Sequence, residues 1–455
     1  MKAALRWLRI VGAWIALSML VELLHKRAPA GALVQAEYSL TPPGGAQTWQ
    51  PVTLPHDWRA DKTLRDAGTL WYRLRFEHDV QERDPGAVLL WYLSMNAAVW
   101  LNGERVGDGG AMNAPVARNW FRPLLFSVPA PLLRGGANEL LIEVRGVPAG
   151  DGFLGPVYVD DMQKLLPAYE SRYFLKVTFL QLTCVLFLTM ALPTGILWFK
   201  RRQDTIYLWH AAAAVLSAIY IFVIVYKNLP GAQAAPFWEW LRVCAIGWMI
   251  VAIIMLIHRY LGIQRPKLER IVWIIELGGA ALMLAYGLLF DATGMQRFVN
   301  AAWEPAVVAL GGYPAVLMFK AYATQPDRPG FWLMLTGNLL LILGIHDLLM
   351  VNHLWPPYDG FYVNYGAPGP LIAFTGILLE RFLHALRESE TLNRELAARV
   401  EQKSDELRRS YDERKALEDA HLLAEERGRI LMDMHDGIGG RLVSTLPRLE
   451  KSGQT

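Results

Sequence analysis

The run FLKVTFLQLTCVLFLTMALPTGILWFKRR, residues 174–202, decides the fold class of this 455-residue chain. Residues 174–199 are almost wholly apolar, and Lys200, Arg201 and Arg202 follow directly. A membrane-spanning helix needs about 20 mainly apolar residues, and loops on the cytoplasmic side of a membrane are enriched in Lys and Arg. The run therefore predicts a helix that crosses a membrane and ends on its cytoplasmic side.

Further apolar runs follow it, and each is long enough to cross a membrane. They are residues 205–226, 237–258, 271–290, 299–319, 330–351 and 361–380. Alternate connections are basic, with Arg259, Arg265, Lys267 and Arg270 in one and Lys320 and Arg328 beside the next, whereas Asn228–Ala235 and His353–Asp359 are poor in Lys and Arg. We expect a seven-helix transmembrane bundle over residues 172–382, with the C-terminus in the cytoplasm.

The composition agrees with a membrane protein. Charged residues make up only 19% of the chain, against about 25% in a typical soluble protein, and 53% of the residues are hydrophobic. A net charge of +3 is too small to indicate direct binding of nucleic acid. Cys184 and Cys244 both lie in apolar runs, so no disulfide framework or zinc cluster is expected.

The N-terminal residues 1–30 allow two interpretations. Lys2, Arg6 and Arg9 precede the apolar run Ile10–Val21, which suits the core of a signal peptide. An uncleaved membrane anchor over Leu5–Leu24 is the alternative. Either one leaves the next segment outside the cytoplasm.

Residues 37–165 have a different pattern, with short alternating stretches and turn residues instead of long apolar runs. The alternation predicts strands at Leu70–Phe76, Ala87–Leu93, Ala97–Leu101, Leu124–Val128 and Glu139–Val144. Asn102-Gly103 is a strong hairpin turn, because both central positions favour a positive φ. This segment is expected to be an extracytoplasmic β-sandwich.

Four motifs of this segment resemble the N-terminal jelly-roll domain of family-two glycoside hydrolases, which has the galactose-binding-like fold. They are TLPHDW (53–58), WYRLRF (71–76), VWLNGERVG (99–107) and GANELLIEV (136–144). The resemblance implies no catalysis, since those enzymes carry their catalytic carboxylates on a separate barrel that is not expected here. A small-molecule or carbohydrate-like ligand follows only by analogy of fold. The tryptophans 58, 71, 91, 100 and 120 are interpreted first as packing residues, and Asp57 and Asp108 as ligand acceptors or turn residues.

An outer sandwich followed by seven spans resembles the bacterial seven-transmembrane receptors with diverse intracellular signalling modules. Ionisable residues inside membrane spans are functional candidates by default. Glu239 and Arg242 are three apart on a helix and are expected to pair, and His346-Asp347 is the candidate pair for sensing or gating. The other polar candidates are Glu276, Glu304 and Asn338. A proton-coupled transporter is the rival interpretation of this block.

Residues 383–424 are predicted to form a coiled-coil signalling helix of a homodimer. Leu396, Val400, Leu407 and Leu417 fall on one heptad seam, which the polar residues Lys403, Ser410, Arg414 and His421 interrupt. A seam of this kind is weak, as a helix that must change its packing requires.

The segment EERGRILMDMHDGIGGRLVSTL (425–446) resembles the phosphoacceptor box of sensor histidine kinases whose partners are LuxR-type response regulators. The resemblance assigns the phosphoryl acceptor to His435, because a neutral imidazole is nucleophilic at cytoplasmic pH. It assigns the neighbouring carboxylate to Asp436, which takes or holds the other ring proton. Residues 425–455 are expected to begin the dimerisation and phosphoacceptor domain of a two-component sensor in the bacterial inner membrane.

Two departures from the kinase pattern qualify this expectation. Gly440 stands where phosphatase-active members carry a glutamine, and the sequence ends at Thr455, before the family's ATP-binding domain. No cofactor or metal site is therefore expected in these residues, although ATP and magnesium are implied for the complete kinase. A membrane receptor without catalysis stays an alternative, as does a transporter-like protein.

Overall fold

The structure is a computed structural model that describes residues 28–45, 48–58, 61–78, 86–113, 115–120, 122–146, 152–228, 235–289, 298–324, 328–352, 354 and 361–450. The expected signal peptide or anchor over residues 1–30 lies almost entirely outside the described residues, which begin at residue 28. The chain divides into two compact units, Met1–Leu378 and Leu379–Thr455.

The first part of the larger unit is rich in β-strands. In chain order they are β1 Gln35–Ser39, β2 Gln50–Thr53, β3 His56–Asp57, β4 Thr69–His78, β5 Gly86–Leu90, β6 Leu93–Ser94, β7 Asn96–Leu101, β8 Glu104–Asp108, β9 Leu124–Val128, β10 Gly136–Arg145, β11 Phe153–Leu154 and β12 Val157–Asp161. A short helix, α1 Lys62–Ala67, lies between β3 and β4. The strands expected from alternation are confirmed, and the stretch expected at Ala87–Leu93 is divided between β5 and β6.

These strands form three antiparallel sheets around one hydrophobic core. The largest has the order β2-β1-β4-β10-β7-β8, and the smaller ones are β3-β11-β6 and β12-β5-β9. Side chains alternate along β4, so that Leu70, Tyr72 and Leu74 point inward. They belong to the same buried cluster as Val88 and Val128 of the third sheet, and this shared core holds the sheets face to face.

The expected hairpin turn is present between β7 and β8. Asn102 has φ 52° and Gly103 has φ 90°, as a two-residue turn of this class requires. The Asn102 side chain also donates to the carbonyl of Leu132 over 2.7 Å and to Oδ1 of Asn138 over 2.8 Å. It accepts a hydrogen bond from the backbone N–H of Glu139 over 3.0 Å, so one turn residue fastens three segments.

The rest of the larger unit is helical. The helices are α2 Met162–Tyr173, α3 Phe179–Lys200, α4 Thr205–Val225, α5 Ala235–Leu261, α6 Pro266–Leu289, α7 Glu304–Thr324, α8 Arg328–Val351, α9 Val363–Gly366 and α10 Pro368–Glu450. π-helical turns over Phe174–Thr178 and Val299–Trp303 precede α3 and α7. A helix is therefore found at each of the positions expected for a span.

Among the described residues, six helical stretches are long and apolar enough to cross a membrane. They include α3, α4, α5, α7, α8 and the first part of α10, which makes the chain compatible with a multi-pass membrane protein. The helix α6, which covers the expected fourth span at 271–290, is not among the six. The expected count of seven is thus met by helices, and six of the described helical stretches are also long and apolar enough to cross a membrane.

The helices pack through several buried clusters. One cluster joins α3, α4, α5 and α10 through residues such as Phe187, Ala214, Ala252 and Leu371. Several large apolar side chains on α3, of which Leu192 is one, are exposed. A helix bundle that is apolar both inside and outside is what a lipid environment permits.

The smaller unit contains the greater part of α10, and its described side chains are almost all exposed. The four predicted seam residues Leu396, Val400, Leu407 and Leu417 are between 60% and 74% exposed. Large apolar side chains at heptad spacing need a partner helix to bury them.

Candidate functional site

The strand-rich region contacts the helices through the segment between β8 and β9. The backbone N–H of Arg118 donates to the carbonyl of Lys227 over 3.1 Å, just beyond the end of α4. A guanidinium N–H of Arg122 donates to the carbonyl of Val225, in the last turn of α4. Last-turn carbonyls of a helix have no partner within it, so the guanidinium of Arg122 caps α4 and the backbone of Arg118 holds Lys227 just beyond it.

A carboxylate on α5 completes this contact. Nη2 of Arg118 lies 3.3 Å from Oε2 of Glu239, and Nη2 of Arg242 lies 2.6 Å from Oε1 of the same residue. The pairing of Glu239 with Arg242 is therefore confirmed, and Glu239 in addition bridges two guanidinium groups. All three side chains are 14% to 23% exposed, so their charges are only partly screened by solvent.

A second contact joins the strands to α2. Arg172 is 4% exposed, and its guanidinium lies 4.3 Å from the ring centre of Trp91 and 5.4 Å from that of Tyr92. A cation over an aromatic face is stabilised by the ring quadrupole, more strongly where water is excluded. Trp91 therefore serves as a packing residue at the base of the strand-rich region.

The other tryptophans named from the sequence also act in packing. Trp58 is 1% exposed in the core, and the rings of Trp71 and Trp100 contact each other with centroids 5.3 Å apart. Asp108 accepts hydrogen bonds from the backbone of Gly110 and from Arg105, which is the turn role expected as an alternative to ligand binding.

The pair His346-Asp347 has a structural partner that the sequence did not indicate. Nδ1 of His346 lies 3.0 Å from Oδ1 of Asp347, and the ring of His346 stacks on that of Tyr362 with centroids 4.5 Å apart. The carboxylate of Asp347 accepts hydrogen bonds from the backbone N–H groups of Tyr362 and Val363, over 2.9 and 2.8 Å. Asp347 thereby caps α9 and anchors the segment that leads into α10.

Glu276 is the most unusual ionisable residue among the described ones. It is fully buried on α6, and neither carboxylate oxygen has a hydrogen-bond partner within the described part of the chain. The carboxylate faces Gly247 of α5, where an added Cβ would lie 2.1 Å from Oε2. An unpaired carboxyl is costly to bury, so Glu276 is expected to destabilise the packing of α5 against α6.

A polar network between α5, α6 and α7 was missed by sequence reasoning. His258 is fully buried, and its two ring nitrogens lie 2.8 Å from Oε1 of Glu269 and 2.8 Å from the hydroxyl of Tyr313. Arg259 donates to both oxygens of the Glu269 carboxylate over 3.0 and 2.9 Å. The lone acid Glu269 among the cations of this connection was the available signal, since an isolated opposite charge indicates a structural pair.

The predicted phosphoacceptor residues lie on α10. His435 and Asp436 are both exposed, and neither makes a hydrogen bond or ion pair with another described residue. As neighbours on a helix they point in different directions, so the structure does not bring their side chains together. Gly437, Gly439 and Gly440 are helical, and no other described atom lies within 4 Å of a Cβ built on any of them.

The coiled-coil seam of α10 reaches the predicted phosphoacceptor. Continued in steps of three and four from Leu417, the seam passes through Leu431, His435 and Ile438. Leu431 and Ile438 are exposed apolar residues, two and three heptads after Leu417. A polar residue at a seam position weakens a coiled coil locally.

Comparisons with solved structures return family-two glycoside hydrolases. A member from Bacteroides cellulosilyticus has 18% identity and a TM-score of 0.24, and the match covers 29% of this chain and 20% of that one. A β-galacturonidase from Eisenbergiella tayi has 15% identity and a TM-score of 0.24, with 29% and 24% covered. A β-glycosidase from Bacteroides vulgatus has 20% identity and a TM-score of 0.23, with 29% and 20% covered.

The chain thus spans about a fifth to a quarter of the length of these enzymes. TM-scores at this level carry no inference about fold or activity. No protein-family model matches the sequence, and no curated protein matches it either.

Proposed function

We propose that this chain is the sensor part of a two-component system in the bacterial inner membrane. An extracytoplasmic domain receives the signal, the membrane helices transmit it, and α10 presents His435 for phosphorylation. The observation that carries the proposal is the phosphoacceptor motif 425–446, whose described side chains, through Arg441, are almost all exposed on a helix that begins in the bundle core.

The finer architecture belongs to the same proposal. Four motifs between residues 53 and 144 support a galactose-binding-like jelly roll, and α6 is proposed to complete a set of seven spans although it carries Glu276. The basic connections support a cytoplasmic C-terminus. A carbohydrate-like or other small ligand of the outer domain rests on analogy alone.

The chemistry proposed for His435 is nucleophilic. A neutral imidazole attacks the γ-phosphoryl group of ATP, the bond to the β–γ bridging oxygen breaks, and ADP leaves. The phosphoramidate then passes the phosphoryl group to an aspartate of a LuxR-type response regulator, which frees the imidazole. Exposure of His435 lets both an ATP-binding domain and a regulator reach it. Asp436 is proposed to accept the ring proton that the imidazole releases, after a change of side-chain rotamer.

A homodimer is part of the same proposal. Two copies of α10 packed along Leu396, Val400, Leu407 and Leu417 would bury the exposed seam. The same seam continues to Leu431 and Ile438 and would place His435 at a seam position between them, where a polar side chain weakens the packing. A cysteine at position 396 tests this packing, because Leu396→Cys is expected to crosslink two copies in membranes, whereas Glu395→Cys, one position off the seam, is not.

Phosphotransfer tests the proposal as a whole. The chain is reconstituted in lipid nanodiscs with radiolabelled ATP, magnesium and a separately expressed kinase ATP-binding domain. Label is expected on the wild type and on His421→Gln, whose histidine is also exposed on α10, and is expected to be lost in His435→Gln. Asp436→Asn is expected to label at least tenfold more slowly, since positioned acid–base groups contribute about 10²–10⁴ in rate. Labelling that does not depend on His435, or no labelling in any mixture, would contradict the proposal and favour a membrane receptor without this catalysis.

A further inference from the structure

The helix bundle contains an apolar cavity. It measures about 110 Å³ and lies between α5, α7, α8 and the start of α10. Its walls are almost entirely hydrocarbon and include Met249, Leu256, Met318, Leu340 and Phe374. Protein interiors pack as densely as organic crystals, and voids larger than a water molecule are few. A cavity of this size and lining suits an apolar guest.

A smaller compartment of about 70 Å³, the polar compartment, adjoins this cavity. Both compartments are lined by Ile246, Val307, Val308, Gly344 and Val363, so they share a wall along α5, α7 and α8. The lining of the second one adds hydrogen-bonding side chains, which are Tyr220, Arg242, Glu304 and Asp347.

The polar compartment lies at the end of the bundle that contacts the strand-rich region. On α5 it is lined by Arg242, Val243 and Ile246, whereas the apolar cavity continues from Ile246 to Ile257. Glu239, about two turns before Ile246 on α5, pairs with Arg118 of the strand-rich region. The apolar part therefore extends about 16 Å along α5, away from that contact.

The charges of the polar end restrict the head of a ligand. Arg242 is already neutralised by Glu239, and Asp347 is occupied by two backbone N–H groups and His346. An ionic head would therefore be buried without a free counter-charge from either residue, which is costly. A neutral head that both donates and accepts hydrogen bonds avoids this cost.

We propose that this two-part cavity binds a single-chain amphiphile with a neutral, hydroxyl-bearing head. The chain occupies the apolar cavity, and the head lies beside Tyr220 and Arg242. The guest would contact Leu371 and Phe374 of α10 and, through Arg242, the ion pair with the strand-rich region. This site stands independently of the role of His435, because it rests on the cavity and its lining alone.

Monoacylglycerols of increasing chain length are the probe, with binding to the full chain in nanodiscs measured by calorimetry. Affinity is expected to rise about fourfold for each added CH₂ group, which follows from about 0.8 kcal/mol per buried methylene, and then to reach a plateau when the cavity is full. Matched fatty acids and alkylammonium ions are expected to bind at least tenfold more weakly, since each would bury a charge without a free counter-charge.

Gly337→Leu blocks the cavity without forcing the helix apart. Gly337 lines the cavity on α8, and no other described atom lies within 4 Å of a Cβ built there. The matched control is Gly278→Leu, a helical glycine of α6 that likewise meets no such atom and does not line the cavity. Gly337→Leu is expected to lower the affinity at least tenfold and Gly278→Leu to leave it unchanged. Tyr220→Phe is expected to lower the affinity for the monoacylglycerol but not the affinity for a plain alkane of equal length.

Three results would overturn the proposal. One is equal binding by wild type and Gly337→Leu, which would mean that the probe sits elsewhere. Another is affinity that rises with chain length without a plateau, as partitioning into the surrounding lipid gives. The third is a phospholipid that copurifies at one per chain, is lost in Gly337→Leu and is not displaced by the probe, which would identify a bilayer lipid as the occupant.

Discussion

Replacing Glu239 is expected to cost more stability than replacing either of its cationic partners. In Glu239→Gln, Arg118 and Arg242 lose their shared carboxylate and are left as two neighbouring, largely buried cations. Breaking a buried pair from one side costs about 3–5 kcal/mol, and the residual exposure of 14% to 23% favours the lower end, about 3 kcal/mol. Arg118→Gln leaves Glu239 paired with Arg242 at 2.6 Å, so its expected cost is about 1 kcal/mol.

The double variant separates this network from independent effects. Once Glu239 is a glutamine, Arg118 has no carboxylate to lose, so the two changes together should cost about 1 kcal/mol less than their sum. The free energy of unfolding is measured by reversible SDS titration of the protein in mixed micelles. Arg105→Gln is the control, because its pair with Asp108 is at the surface and is worth about 1 kcal/mol or less. Additive effects, or an Arg118→Gln cost equal to that of Glu239→Gln, would refute the reasoning.

Three further variants test other parts of the structure. Glu276→Met is expected to raise the free energy of unfolding by about 1–3 kcal/mol in the same titration, because it removes a buried carboxyl that has no partner among the described residues. A loss of stability would show that Glu276 is paired. Asn102→Ala should lower the stability of the strand-rich region by about 2–4 kcal/mol, because Ala loses the hydrogen bonds and disfavours the positive φ of 52°. Asn102→Gly should lower it by less, because Gly loses the hydrogen bonds but adopts that φ readily. Thermal melting followed by tryptophan fluorescence checks this order. Burial lowers the pKa of His56, whose Nδ1 lies 2.8 Å from the Tyr72 hydroxyl, so the unfolded chain binds a proton more readily than the folded one. The free energy of unfolding should therefore fall as the pH drops below about 6.5. His56→Gln should flatten this part of the pH profile, and an unchanged profile would contradict the assignment.

Local patterns were sufficient to predict most elements of this fold. The strand at Leu124–Val128 and the Asn102-Gly103 turn follow from alternation and from the φ angles that Asn and Gly tolerate, and the structure has both. Each expected span is a helix, because long apolar runs leave the backbone no better way to satisfy its hydrogen bonds. The pairing of Glu239 with Arg242 was equally local, since three residues on a helix bring side chains together.

The long-range contacts could not be predicted in the same way. Arg118 and Glu239 are 121 positions apart, and only the docking of the strand-rich region on α4 and α5 brings them together. Asp347 was singled out as an ionisable residue inside a span, yet its role as a cap depends on the backbone of Tyr362 and Val363 reaching it. Burial of Glu276 against Gly247 likewise depends on how α5 and α6 pack.

The central claim is that the contact between Arg118 and Glu239 is coupled to phosphorylation of His435. The initial rate of His435 labelling tests this claim most directly. Wild type, Glu239→Gln and Arg105→Gln are compared in nanodiscs with the same added ATP-binding domain. Coupling between distant sites is typically worth about 5–150-fold, so Glu239→Gln should change the rate at least about fivefold while Arg105→Gln leaves it unaltered. If His435 labels at the same rate in all of these proteins, the contact at Glu239 does not govern the phosphoacceptor, and the account is wrong.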